Sequence, residues 1–112
     1  MESILTSVKK VLGITEEYEH FDQDLIMHIN TVFGILHQLG VGPSTGFSIQ
    51  DSSALWNDFV DNEKLNLVKS YVCLKVRLMF DPPQNGSLIE AINSQISELE
   101  WRLNVAIDPV AI

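Results

Sequence analysis

Two adjacent prolines divide the second half of the chain into two helical segments. The apolar run of residues 71–80 ends at Asp81-Pro82-Pro83, and an apolar pattern resumes after Gln84-Asn85-Gly86. Proline has no backbone N–H to continue a helix, and Pro82 also disfavours the α conformation at Asp81. The sequence therefore predicts a helix that ends near Phe80, a rigid corner, and a further helix that begins close to Ser87.

The helix after the corner has its own start signal. Ser87 and Glu90 have the spacing of a capping box, in which each side chain accepts a hydrogen bond from the backbone N–H of the other residue. We expect this helix to start at Ser87 and to extend to about Asn104. Its predicted buried stripe consists of Leu88, Ile89, Ile92, Ile96, Leu99 and Leu103.

The helix before the corner, predicted over residues 62–80, has two apolar arcs. The first arc is Leu65, Val68, Val72, Val76 and Met79; the second is Leu67, Tyr71, Leu74 and Leu78. Either both arcs pack within the domain, or one packs in the core and the other contacts another subunit. Trp101, predicted on the outer face of the last helix, is likewise either an anchor for a partner or a cover for a loop of its own chain.

The first half of the chain predicts two helices and a long loop. Helical periodicity covers residues 2–12 up to Gly13 and resumes after Asp22, the expected N-cap, until Gly40. Residues 41–54 are rich in turn formers, with a short extended piece at 47–50, and one helical turn is expected around Trp56. A loop of this length is more often functional than not, so Phe47 and Ile49 are candidate partner contacts.

Composition points to a single domain that assembles with other subunits. The 112 residues are 46% hydrophobic and only 20% charged. This hydrophobic fraction is high for a small monomeric protein, which has a large surface for its volume. A net charge of -8 argues against binding to nucleic acid phosphates. With one cysteine, Cys73, no intrachain disulfide is possible and a reducing cytoplasm fits; neither a signal peptide nor a membrane span is expected.

The acidic residues form two groups, which are either solvated helix caps or a negative surface that faces DNA. The groups are Glu16, Glu17, Glu19, Asp22 and Asp24, and Asp51, Asp58, Asp61 and Glu63.

Catalytic and cofactor signatures are missing from the sequence. The glycines at 40, 42 and 46 follow a helix and lack the lysine of a phosphate-binding loop. His20, His28 and His37 do not have the i,i+4 spacing of a metal pair. Cys73 lies in an apolar helix, where a thiol is poorly nucleophilic. We expect no enzyme activity, no metal and no cofactor.

Five ordered segments resemble the head-tail connector proteins of tailed bacteriophages and prophages, and together they span nearly the full length. They are Phe21-Asp22 with Asp24-Leu25-Ile26 and His28-Ile29-Asn30, Gln38-Leu39-Gly40-Val41-Gly42, Trp56-Asn57-Asp58-Phe59, residues 74–83 and residues 98–103. The segment that ends at Pro83 is the most specific of the five.

The resemblance implies an all-α adaptor, here a small bundle of about four helices over residues 1–104 with an extended tail at 105–112. Such adaptors form a ring beneath the portal, commonly twelvefold, extend the DNA channel and offer a platform for a tail-completion or stopper protein. The family then implies a virion protein made in the host cytoplasm, monomeric or weakly oligomeric alone. DNA passes through without specific binding, past an acidic lining.

Two sets of residues are interface candidates under this interpretation. Contacts with a neighbouring subunit or partner are predicted at Leu67, Tyr71, Leu74, Leu78, Trp101, Phe47 and Ile49. Docking on the portal is predicted for the apolar tail through Val105, Ile107, Val110 and Ile112. The alternative is a small helical DNA-binding regulator, which the acidic balance disfavours.

Overall fold

Five helices form the described part of the chain in this computed structural model. Residues 2–60 and 64–107 are described, without the side chains of 105–107. The helices are α1 (Ile4–Val11), α2 (Asp22–Gln38), α3 (Trp56–Phe59), α4 (Leu65–Phe80) and α5 (Gly86–Ile107). Within these residues there is no β-strand, and an isolated bridge joins Ser3 to Leu55. The predicted all-α fold is confirmed.

Helix α4 is the centre of the bundle. It packs against α2 on one side and α5 on another, with α1 and α3 alongside. Val68, Val72 and Val76 are fully buried, as the first apolar arc predicts. The second arc also packs inside the domain: Tyr71 is fully buried, and Leu67, Leu74 and Leu78 are partly buried against the same core. Both arcs therefore have neighbours within the chain, except at Met79 of the first arc, which is 39% exposed.

The corner between α4 and α5 lies where the prolines place it, but its cap differs from the prediction. Helix α4 ends at Phe80, and the backbone N–H of Asp81 donates to the carbonyl of Arg77 at 2.8 Å. The side chain of Asn85 accepts hydrogen bonds from the backbone N–H groups of Ser87 (2.8 Å) and Leu88 (3.3 Å). Asn85 is thus the N-cap of α5.

The predicted capping box at Ser87 and Glu90 is therefore wrong, because Ser87 already lies inside the helix and Asn85 accepts the hydrogen bonds of the first N–H groups. Helix α5 also continues to Ile107, three residues beyond the predicted end at Asn104. The predicted extended tail is thus helical at 105–107, and Val110 and Ile112 lie outside the described residues.

Asp22 does not cap α2; it is the first residue of the helix and pairs with Lys9 of α1 instead. The Lys9 side chain is 3% exposed, its Nζ lies 2.8 Å from Asp22 Oδ1, and it donates to the carbonyl of Glu16 at 2.9 Å. A buried ammonium group needs such partners. This buried pair joins α1, the following loop and the start of α2.

The start of the chain is joined to the segment before α3. The backbone N–H of Ile4 donates to the carbonyl of Ala54 at 3.0 Å, and Trp56 Nε1 donates to Ser7 Oγ at 3.0 Å. The Ser7 hydroxyl in turn donates to the carbonyl of Ser3 at 2.7 Å. Trp56, only 1% exposed, thereby holds α1 and α3 together.

Candidate functional site

The long loop, residues 41–54, is held against its own domain. Asn30 of α2 exchanges two hydrogen bonds with the backbone of Ile49, and the Phe47 ring packs edge-on against Phe33 with centroids 5.2 Å apart. Phe47 also lies 5.2 Å from Phe59, which lies 4.5 Å from Phe33. Ile49 is 2% exposed, so its assignment as a partner contact is corrected: it belongs to the core.

Tyr71 is the second predicted contact that the fold places inside the chain. It is fully buried, and its hydroxyl donates to Glu100 Oε2 at 2.7 Å. Burial, and then the hydrogen bond and charge of Glu100, raise the pKa of Tyr71 well above its ordinary value. Tyr71 joins α4 to α5 and leaves no surface for a partner, so its assignment as an interface residue is corrected.

Trp101 has the surface that the wheel of α5 predicts. It is 63% exposed, more than any other large apolar side chain in the part of the chain that is described. Arg102 and Glu98 form an ion pair of 2.9 Å beside it. Leu67, Leu74 and Leu78 are half-buried, while the side chains of Val105 and Ile107 are not among those described. Trp101 is therefore far more exposed than the other interface candidates whose side chains are described.

An open groove of about 600 Å³ lies between α1 and α5, with α4 as its floor. Its apolar lining comprises Val11, Cys73, Leu74 and Leu99. Its polar rim comprises Glu2, Ser7, Lys10, Lys69, Ser70, Gln95 and Glu98. Sequence periodicity does not reveal this groove, because it exists only once α1 is placed beside α4; the one local signal is Val11, an apolar residue left 54% exposed.

Two of the charges at the groove form an ion pair, and its thiol is protonated at neutral pH. Glu2 and Lys69 form an ion pair of 2.9 Å, and the hydrogen bond from Lys69 lowers the pKa of Glu2. Burial raises the pKa of Cys73 from about 9 to about 11. Because the thiolate is the reactive form, Cys73 contributes a packing surface and not a nucleophile.

A second surface feature is a row of rings at the outer end of α4. Phe80 packs against Phe21 with centroids 5.2 Å apart, and Phe21 lies 4.9 Å from His20 and 5.7 Å from Tyr18. Tyr18 is 49% exposed. These contacts give a packing role to Phe80, the aromatic residue directly before the corner. Sequence reasoning missed it because the two halves are about sixty positions apart.

The described side chains contain no group of three or more His, Cys, Asp or Glu residues arranged to hold a metal ion. No helix in the described ranges has the length and apolarity needed to cross a membrane. The surface features of the described residues thus include a groove, an exposed tryptophan, a row of rings and many carboxylates.

Comparison with known protein families identifies the kind of protein that carries these surfaces. A family model described as phage connector protein matches residues 4–110. The chain belongs to the phage connector protein family. The predicted resemblance is thereby confirmed. No curated protein and no solved structure gives a significant match.

The family is one of structural phage proteins, which assigns the chain a connector role. The matched region contains all five helices, so the groove, Trp101 and the row of rings all belong to the connector fold. The exposed features of this phage connector protein are therefore candidate surfaces for assembly.

Proposed function

We propose that the chain is a ring-forming adaptor at the junction between the head and the tail of a tailed phage. The single observation that carries the proposal is the match of the phage connector model to residues 4–110. In this role the ring lies beneath the portal, extends the DNA channel and presents a platform to a tail-completion or stopper protein. Twelve subunits, the common number in such rings, surround the channel.

The surface of the domain is suited to repeated subunit contacts. Large apolar side chains remain exposed on α1, α2, α4 and α5. They are Val11, Met27, Met79, Leu88 and Trp101. A cyclic assembly with head-to-tail contacts has two different faces on each subunit, and apolar side chains on several helices support such a pair of faces.

The charge of the chain suits a channel through which DNA slides. With a net charge of -8, a ring presents many carboxylates and few cations to the phosphate backbone. Glu16, Glu17 and Glu19 are all exposed in the segment before α2. Repulsion between carboxylates and phosphates prevents adhesion, whereas a basic lining would hold the genome in place.

We further propose that the segment after Asn104 docks on the portal through Val105, Ile107, Val110 and Ile112, while residues 1–104 form the ring domain. The proposal rests on the apolar composition of residues 105–112, which contain one charged residue, Asp108. Truncation after Asn104 is expected to abolish portal binding, measured by co-sedimentation, and truncation after Ile107 to weaken it. Unchanged binding after both truncations contradicts this docking role.

The decisive experiment mixes the purified chain with its cognate portal. We expect co-sedimentation of the two proteins, and electron micrographs in which a ring of this chain extends the portal channel. The adaptor role is contradicted if the two folded proteins show no co-sedimentation and form no ring. Tight, strongly salt-dependent binding to duplex DNA would instead favour a DNA-binding protein.

A further inference from the structure

We propose that Trp101 of one copy inserts into the α1–α4–α5 groove of the next copy, so that this contact links subunits head to tail. The inference rests on the proposed ring and names the two surfaces that meet in it. Both are present on every chain: a protruding aromatic side chain, 63% exposed, and an open groove of about 600 Å³ with an apolar floor.

The two surfaces lie on different sides of α5, which sets the type of contact. Leu99 lines the groove, and Trp101 lies two residues further along the helix, about 200° around its axis. Trp101 therefore points away from the groove of its own chain. A second copy that accepts Trp101 leaves its own Trp101 free for a third, which is the definition of a heterologous contact.

The charges around the two surfaces are complementary. Glu98 lies at the border between the two surfaces, since it lines the rim of the groove and pairs with Arg102 on the outer side of α5. The groove therefore carries two carboxylates, Glu2 and Glu98, together with Lys10 and Lys69. When Arg102 of one copy faces these carboxylates of the next copy, the contact gains a favourable charge pair.

The area of the contact explains why a scaffold is needed. One tryptophan buries about 150–250 Å², whereas a stable interface takes about 800 Å² from each partner. An anchor of this size gives weak association in solution. Copies held side by side on a portal have a high effective concentration, and the same contact then closes the ring.

Two exposed positions allow the faces to be removed one at a time. Trp101→Ala removes the anchor and keeps the groove; Val11→Lys places a charge in the groove and keeps the anchor. We expect the wild-type chain to form species larger than dimers in sedimentation velocity as concentration rises. Each variant alone should weaken association by about tenfold or more. Asn93→Ala, at an exposed position on the same helix and outside the groove lining, is the matched control and should associate like the wild type.

The mixture of the two variants is the sharpest measurement. Val11→Lys supplies the anchor and Trp101→Ala the groove, so together they should form a one-to-one complex that does not grow further. A blue shift of Trp101 emission should accompany association, since Trp56 is already buried. Thermal unfolding of each variant verifies that it is folded.

Three results overturn the inference: a wild-type chain that stays monomeric up to its solubility limit, a Trp101→Ala variant that associates like the wild type, and a mixture that associates no better than its components. Portal co-sedimentation separates the two proposals. If Trp101→Ala still forms rings on the portal, the adaptor role stands and the Trp101 contact fails. If the wild-type chain does not bind the portal either, the adaptor role itself is contradicted.

Discussion

Asn30 and Ile49 exchange two hydrogen bonds, one in each direction. Asn30 Oδ1 accepts from the backbone N–H of Ile49 at 2.7 Å, and Asn30 Nδ2 donates to the carbonyl of Ile49 at 3.0 Å. The amide side chain thus satisfies a loop residue as the opposite residue of a β-ladder would. The path of the long loop is therefore set by α2.

Replacing Asn30 tests this bond pair. Asn30→Ala leaves the buried N–H and carbonyl of Ile49 without partners, and we expect a loss of about 1–3 kcal/mol in the free energy of unfolding. Urea denaturation measures it, and amide exchange at Ile49 should accelerate. Thr31→Ala, at the exposed neighbouring position, should change stability by less than about 0.5 kcal/mol. Equal effects of the two substitutions would contradict the role of Asn30.

Gly42 and Gly46 form a matched pair that separates backbone strain from a clash. Both have positive φ, +92° and +88°. A Cβ at Gly42 would lie about 2.5 Å from Cε1 of Phe59, whereas none of the surrounding atoms lies within 4 Å of a Cβ at Gly46. Gly46→Ala should cost about 1 kcal/mol through strain alone. Gly42→Ala should cost a further 1–3 kcal/mol or so by displacing the ring.

Thermal unfolding of the two glycine variants measures this difference. Similar melting temperatures for both would contradict the close approach of the loop to Phe59.

Lys9 and Lys10 are adjacent lysines with opposite environments. Lys9→Met leaves the Asp22 carboxylate, 21% exposed, without its cation, and a loss of about 3 kcal/mol is expected. Lys10→Met, at an exposed position, should be close to neutral. Urea unfolding of both variants checks the contrast. In a double-mutant cycle, Lys9→Met with Asp22→Asn should recover part of the loss; strict additivity would contradict the pairing.

Helix α5 offers a direct comparison of two cap candidates. Asn85→Ala should cost about 1 kcal/mol of stability, because two backbone N–H groups lose their acceptor. Ser87→Ala should cost less than about 0.5 kcal/mol. Chemical denaturation distinguishes them, and a larger effect at Ser87 would restore the capping box that the sequence predicts.

Cys73 should react slowly and only at high pH. Its pKa is raised by burial from about 9 to about 11, so the thiolate fraction at pH 8 is lower than in a free thiol by on the order of 100-fold. The rate of modification by an aromatic disulfide reagent should rise toward pH 11. Since the unfolded chain releases this proton first, the folded state loses stability between about pH 9 and pH 11.

Cys73→Ala should flatten this part of the stability profile. A fast reaction of the native thiol at pH 7 would contradict its burial.

Local signals predicted the elements of this fold and several of their ends. The prolines at 82 and 83 correctly placed the end of α4, and the spacing of apolar residues identified all four long helices together with the turn at Trp56. These features depend on residues a few positions apart. Trp101 was likewise placed on the outer face of α5 from the helical period alone.

Local sequence patterns did not predict the contacts between residues that are far apart in the chain. Asn30 binds a residue nineteen positions away, and Tyr71 binds Glu100 twenty-nine positions away. Both are polar groups whose partners are set by tertiary packing. The groove, too, depends on the placement of α1 against α4. An apolar arc therefore predicts burial, but it does not reveal which chain provides the cover.

Within the described residues, α4 is the one helix that α5 contacts extensively. The Tyr71–Glu100 hydrogen bond adds a polar contact to that interface. The direction of α5, and with it the direction in which Trp101 projects, therefore depends mainly on its packing against α4. In the proposed ring, this one helix pair would set the angle at which each subunit presents Trp101 to the next.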